Sequence, residues 1–186
     1  LYQRADQLDA AADEIRRAAA KLTNEELKDS KTQWVIGLFQ SGRLEQGITQ
    51  LTALTSAYPN DLSTQRLAAE VFNDLQVNEQ VERAEQNLKR IEGDEGTLWR
   101  AARAVRLLRA AEIAERKSAS QTLAKEATQL VNRLQELIPN WPETHRLRGQ
   151  LAERSGRWSD ALASYWLAWS TGSRDAGLAA RVLNAM

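Results

Sequence analysis

The chain has 186 residues with 25 Lys+Arg and 25 Asp+Glu, so no global field draws it to nucleic acid or to an acidic membrane. Apolar residues make up 42% and charged residues 27%, the ordinary globular range, which argues against disorder. There is no cysteine and only one histidine, His145, so disulfides, thiolate nucleophiles, Cys-based metal sites and a His-only metal site are excluded.

Leu1, Ala5, Leu8, Ala12, Ile15, Ala19 and Leu22 alternate spacings of four and three, which predicts an amphipathic helix over 1–22. This helix is expected to act as a cap on the next one. Thr23 and Glu26 form a capping box, so a second helix starts near 24. It runs through Trp34, Val35, Leu38 and Phe39 and stops at Ser41-Gly42. A third helix, 44–57, carries Ile48, Leu51 and Leu54 and ends before Pro59. Asn60 or Asp61 caps a helix over 62–76, with Leu67, Ala68, Val71, Phe72 and Leu75 inward. Asn78 caps the next, 79–92, with Val81, Ala84, Leu88 and Ile91 inward. Gly93-Asp94-Glu95-Gly96 is a loop. Thr97 is expected to cap a long helix over 98–117, and Ser118 or Ser120 its partner over 119–138. Asn140-Trp141-Pro142 opens a helix that ends at Ser155-Gly156, with proline in the first turn where its missing N–H costs nothing. The following helix, 158–171, aligns Trp158, Ala161, Leu162, Tyr165, Ala168 and Trp169 on one face and stops at Gly172. A last helix over 174–185, with Leu178, Val182 and Leu183, is expected to close the end.

These elements repeat. Gly42 precedes Pro59 by 17 residues, and Pro139 precedes Gly156 by the same interval. Pro59-Asn60 leads to Thr64, Arg66 and Leu67, and Pro139-Asn140 leads to Thr144, Arg146 and Leu147 at the same offsets. Two half-periods make 34 residues, the length of a helix-turn-helix repeat. The interval from Pro59 to Pro139 exceeds two periods by 12 residues, which are assigned to a lengthened pair over 97–138. Gly149, Gly156, Trp158, Ala161, Tyr165 and Ala168, with Pro139 closing the preceding unit, resemble the tetratricopeptide (TPR) repeat. Gly42, Leu44, Gly47, Leu51, Leu54 and Pro59 resemble it less closely. Residues 62–92 keep the period without the signature glycines, and 97–138 depart most. The resemblance implies an all-α, TPR-like α-α superhelix of antiparallel helix pairs with capping helices at both ends. The implied organisation is a cap over 1–22, four pairs (24–58, 61–92, 97–138 and 141–172) and a cap over 173–186.

No catalytic constellation and no cofactor motif is present. Gly93-Asp94-Glu95-Gly96 lacks the Lys-Ser/Thr and preceding strand of a phosphate loop. His145, one turn into its helix, is expected to be partly exposed and structural. Arg100, Arg103, Arg106 and Arg109 recur every three residues on one helix, a stripe that drifts around it. First helices of TPR pairs line the concave side of the array. There Arg100, Arg103 and Arg106, with Arg146 and Arg154 of the last pair, would form a positive groove for an acidic peptide or a carboxyl terminus. The bland alternative is a solvated face paired with Glu112, Glu115 and neighbouring acids. Trp166 lies off the inward face of its helix, as an interface anchor or beneath the segment 174–185. Trp34, Trp99 and Trp141 are expected in packing. Residues 1–93 hold 11 basic and 15 acidic side chains, and 94–186 hold 14 and 10, so the chain is charge-polarised.

The reading is a non-catalytic protein–protein interaction scaffold, with a protein or peptide partner, no nucleic acid and no insertion into a membrane. The competing reading is a structural or oligomerising segment of a multidomain or envelope assembly protein, with the stripe through Leu8 and Ile15 as its contact. The start at Leu1 reads as a piece of a longer chain, and the lack of cysteine fits an oxidising compartment as well as any other. No apolar run approaches the ~18–20 residues of a membrane span.

Overall fold

The computed structural model describes residues 2–173, 177 and 178. Among them it holds nine helices and no strand. They are α1 (Tyr2–Ala18), α2 (Asn24–Gln40), α3 (Leu44–Ala57), α4 (Leu62–Asp74), α5 (Asn78–Glu92), α6 (Leu98–Ile113), α7 (Lys117–Leu137), α8 (Pro142–Arg154) and α9 (Trp158–Ser170). The chain divides into two compact units, 1–87 and 88–186. In the first unit α2 packs on α1 and α3, and α3 on α4. In the second, α6 pairs with α7, α8 with α9, and α8 also meets α6 and α7.

Short apolar stripes and local caps explain these elements. The Thr23–Glu26 box forms as expected: the Thr23 amide donates to Glu26 Oε2 at 2.9 Å and the Glu26 amide to Thr23 Oγ1 at 3.3 Å. Asp61 caps α4 through the Thr64 amide and hydroxyl at 2.8 and 2.7 Å, and Lys28 of α2 donates to the same carboxylate at 2.8 Å. Burial pushes the Asp61 carboxyl up, but the bonds from Lys28, Ser63 and Thr64 outweigh it and hold the group far below the usual carboxylate range. One end of α4 is thereby tied to α2.

The helix reversals share one geometry. Gly42 and Gly156 adopt φ of 80° and 71°. The amide of each donates to the carbonyl three residues back, and the next amide reaches the carbonyl five back, Arg43 to Leu38 and Arg157 to Ala152, both at 2.9 Å. One 34-residue period after Gly42 stands Gln76, with φ 58° and the same pair of bonds, the second from Val77 to Phe72 at 2.9 Å. The signature glycine missing from this repeat is thus missing in residue type but not in backbone conformation.

Small residues bring the paired helices close. Gly149 of α8 lies flat against the Tyr165 ring of α9, where a methyl group would overlap the ring, and Tyr165 Oη donates to Glu153 Oε2 at 2.5 Å. Gly47 of α3 meets the Phe39 ring of α2 in the same way. Ala161 and Ala168 are buried beside Tyr165, and Leu178 joins that cluster. The larger core of the second unit combines Ala104 and Leu107 of α6, Val131 and Leu134 of α7 and Leu147 of α8, with Trp141 packed on it. Fully burying one such aliphatic side chain is worth about 1.5–3 kcal/mol.

Several expectations are corrected. α1 stops at Ala18, short of residue 22. The surplus of the long pair falls mainly on α7, which has 21 residues against 13–15 for α3, α5 and α9, whereas α6 has 16 and ends at Ile113 rather than 117. Thr97 makes no side-chain cap. Glu92, at the end of α5, accepts from the amides of Thr97, Leu98 and Trp99 at 3.2, 3.1 and 3.0 Å instead. A carboxylate satisfies three orphan amides at a positive helix end better than one hydroxyl can. Neither Ser118 nor Ser120 caps α7: the cap position is Arg116, and Ser120 Oγ turns to the Ala111 carbonyl at 2.8 Å. The closing helix over 174–185 lies mostly outside the described residues, where Gly177 and Leu178 are helical and Leu178 is buried. Leu1 lies outside them too.

Two substitutions test this account. Gly149→Ala forces the Tyr165 ring aside and is expected to destabilise the chain by about 1–3 kcal/mol in urea unfolding. Gln76→Gly is expected to raise stability by up to about 1 kcal/mol, because glycine relieves the left-handed strain and loses part of the gain to its own chain entropy. A midpoint lowered by Gln76→Gly contradicts the shared-turn geometry.

Candidate interaction surfaces

Positively charged side chains on α6 and α8 are candidates for a partner groove, and most of them also make contacts within the fold. Arg100 is buried, stacked 4.7 Å from the centre of the Trp99 ring, with its guanidinium donating to the Gly96 carbonyl and 3.7 Å from Glu95. Arg103 reaches across to Glu126 of α7 at 2.5 Å. Arg106 and Arg109 are half-buried and engaged within the fold. Arg146 grips Glu143 with two nitrogens, one turn away on α8. Arg154 donates to the Ala111 carbonyl at 2.8 Å and to Ser120 Oγ, placing a guanidinium at the negative end of α6. Arg103 and Arg154 therefore brace helix to helix, whereas Arg100 holds the loop before α6 and Arg146 pairs along α8. A period of three on α6 spreads its arginines around the helix, which explains why they meet different neighbours.

Tryptophans divide between packing and exposure. Trp34 Nε1 donates to the Leu8 carbonyl of α1 at 3.1 Å, and Trp99 Nε1 to the Gly93 carbonyl at 3.1 Å. Trp158, expected inward, is 66% exposed. It opens α9, and the repeat-equivalent Leu44, which opens α3, is exposed as well. Trp166 is 54% exposed and Leu167 44%. On a helix of 100° per residue, Trp166 centres an outer arc with Trp158 about 80° to one side and Leu167 about 100° to the other. Periodicity identified Trp166; Leu167 was missed because an outward Leu on an alanine-rich helix reads as core.

Two grooves occupy equivalent places in the two units. The first, about 660 Å³, lies among α1, α2 and α3 over Ile15, Trp34, Val35 and Leu54. The second, about 460 Å³, lies among α7, α8 and α9. With Gly42 and Gly156 in register, Trp34, Gln46, Gln50 and Ala53 of the first correspond to Arg148, Asp160, Ser164 and Leu167 of the second. In the first groove Asp9 and Asp13 balance Arg16 and Lys31. The Leu8 side chain, half-buried, packs against Gly37 of α2.

Among the described residues, no group of three His, Asp or Glu side chains is placed to hold an ion, and no helix is long and apolar enough to cross a membrane.

No protein-family model matches the chain, and no curated protein matches it. Solved structures do. TTC0263, described as a thermophilic TPR protein in Thermus thermophilus, has a TM-score of 0.70 at 13% identity, covering 84% of this chain and 80% of that one. The fold is the TPR-like helical repeat. MamA of MSR-1 has a TM-score of 0.50 at 13% identity, with 91% and 92% of the two chains covered. Helix pairs of the TPR type thus form here at 13% identity, and their crossings bring Gly149 against Tyr165 and Gly47 against Phe39.

His145 is buried, not partly exposed, and its Nδ1 has no hydrogen-bond partner among the described residues. Burial, and then the positive charge of Arg148, hold its imidazole below the usual histidine range. The unfolded chain therefore takes up the proton first. Stability from this group is full above about pH 6.5 and is lost as pH falls toward the lower folded value. Between pH 8 and pH 5 the wild-type urea midpoint is expected to fall more than that of His145→Gln. Equal falls contradict the assignment.

Proposed function

We propose that this chain is a non-catalytic protein–protein interaction scaffold that engages its partner through the second unit. The observation that carries the reading is the outer arc of α9. Trp158, Trp166 and Leu167 are each exposed on α9, whose Ala161, Tyr165 and Ala168 are buried in the core. Exposed tryptophans next to a groove are the residues that most often anchor a protein interface. The TPR-like fold supports the same reading, because stacked helix pairs present long surfaces while holding no reactive group. α1 is read as the cap of the array, since Leu8, Trp34 and the Arg43–Asp9 pair at 2.6 Å tie it to α2 and its turn.

A photo-cross-linking side chain at position 166, in the protein in its own cells, is expected to give a discrete adduct with another protein. The same group at Thr49, exposed on α3, is the control. Trp166→Ser is expected to weaken that complex by about 2 kcal/mol, roughly thirtyfold, without lowering the urea midpoint. Indistinguishable adducts at the two positions, or none at 166, reject the reading.

A further inference from the structure

Building on the scaffold reading, we propose that the groove among α7, α8 and α9 takes an acidic peptide segment of the partner protein, with an apolar side chain as its anchor. The rim carries Lys125, Arg148, Arg154 and Arg157 against one carboxylate, Asp160. Two of these cations are hydrogen-bonded to neutral groups. Arg148 donates to Gln135 Oε1 at 3.0 Å, and Arg154 to the Ala111 carbonyl and Ser120 hydroxyl. Their heads are positioned, but their charge is not cancelled. Lys125 is exposed and makes no ion pair among the described residues. Arg157 and Asp160 meet at 3.2 Å with both side chains about 60% exposed, a contact that a better-placed carboxylate can replace.

The floor supplies the other half of the site. Val131, Leu151, Ala152 and the exposed Leu167 line it. Leu167 also ends the tryptophan arc of α9, so an anchor seated here continues onto that surface. A volume of about 460 Å³ lies within the range of about 300–1,000 Å³ seen for small-ligand sites, which suits a few side chains of an extended segment. The lining holds no aromatic ring on which bases could stack, and that favours a peptide over single-stranded nucleic acid.

The repeat provides an internal comparison. The equivalent groove of the first unit has Trp34 in place of Arg148, Gln46 in place of Asp160 and Ala53 in place of Leu167, and its charges balance. A groove at this place is therefore a product of the helix-pair geometry, whereas the excess of positive charge is particular to the second unit.

The test is selection of random displayed peptides on the 186-residue chain. Recovered peptides are expected to be rich in Asp and Glu around a Leu or Phe. Their affinity is expected to fall at least about tenfold on Lys125→Glu with Arg157→Glu, and to weaken as salt rises from about 0.05 to 0.5 M. Lys31→Glu in the first groove is expected to leave it unchanged. No recovered binder, no acidic enrichment, or equal binding to the double variant overturns the proposal. So does a short single-stranded oligonucleotide that binds more tightly with the same dependence on Lys125 and Arg157. If the groove fails while the position-166 adduct persists, the scaffold reading stands without this site; if both fail, the scaffold reading falls.

Discussion

A helix that must turn back on itself within three residues has to place one of them in the left-handed region. Every helix pair here whose partners meet across such a turn depends on that constraint. Gly42, Gln76 and Gly156 adopt it with the same two backbone bonds, and those bonds set where the next helix begins. The start of the next helix in turn decides which of its residues face inward. Gly149 meets Tyr165, and Gly47 meets Phe39, because the turns deliver those residues to the crossing. The close crossing then buries the alanines and leucines that make each core.

How much of this was legible depends on whether the signal lay in one residue or in a partner far along the chain. The turns at Gly42 and Gly156 were readable because glycine there has a local reason. The turn at Gln76 was not, since any residue type can be forced left-handed when packing on both sides requires it. The box at Thr23 and Glu26 was readable from spacing. The cap of α6 was not, because its acceptor, Glu92, ends the helix before and crosses a loop to reach it. Gln65 was missed for the same reason. It is fully buried, donates to the carbonyls of Thr55 and Tyr58 and accepts from Asn87. A polar residue among polar neighbours gives no sign of such burial until its three partners are assembled.

Charge shows the same division. A basic stripe on α6 looks like a binding surface in one dimension, since neither the neighbouring helices nor the loop carbonyls that receive the guanidinium groups can be seen. In three dimensions Arg100 and Arg103 act as fasteners between segments. The excess of positive charge in the second half of the chain is not thereby used up. It reappears around the α7–α8–α9 groove, on Lys125, Arg148 and Arg157, which periodicity did not single out because they come from three different segments.

The Glu92 clamp has a metrical consequence. Its two carboxylate oxygens accept three successive amides across the loop 93–96, so the distance from the last turn of α5 to the first turn of α6 is fixed to within a hydrogen bond. Substitution at Asp94 or Glu95 leaves the span intact, provided Gly93 keeps its left-handed φ of 78°, whereas a Cβ added at Gly96 would overlap the Cβ of Glu92. Adding or removing one residue does not, since roughly 3.5 Å of extra or missing chain carries the amides out of reach. This connection can therefore change composition at its two middle positions, while its length and its two flanking glycines stay fixed.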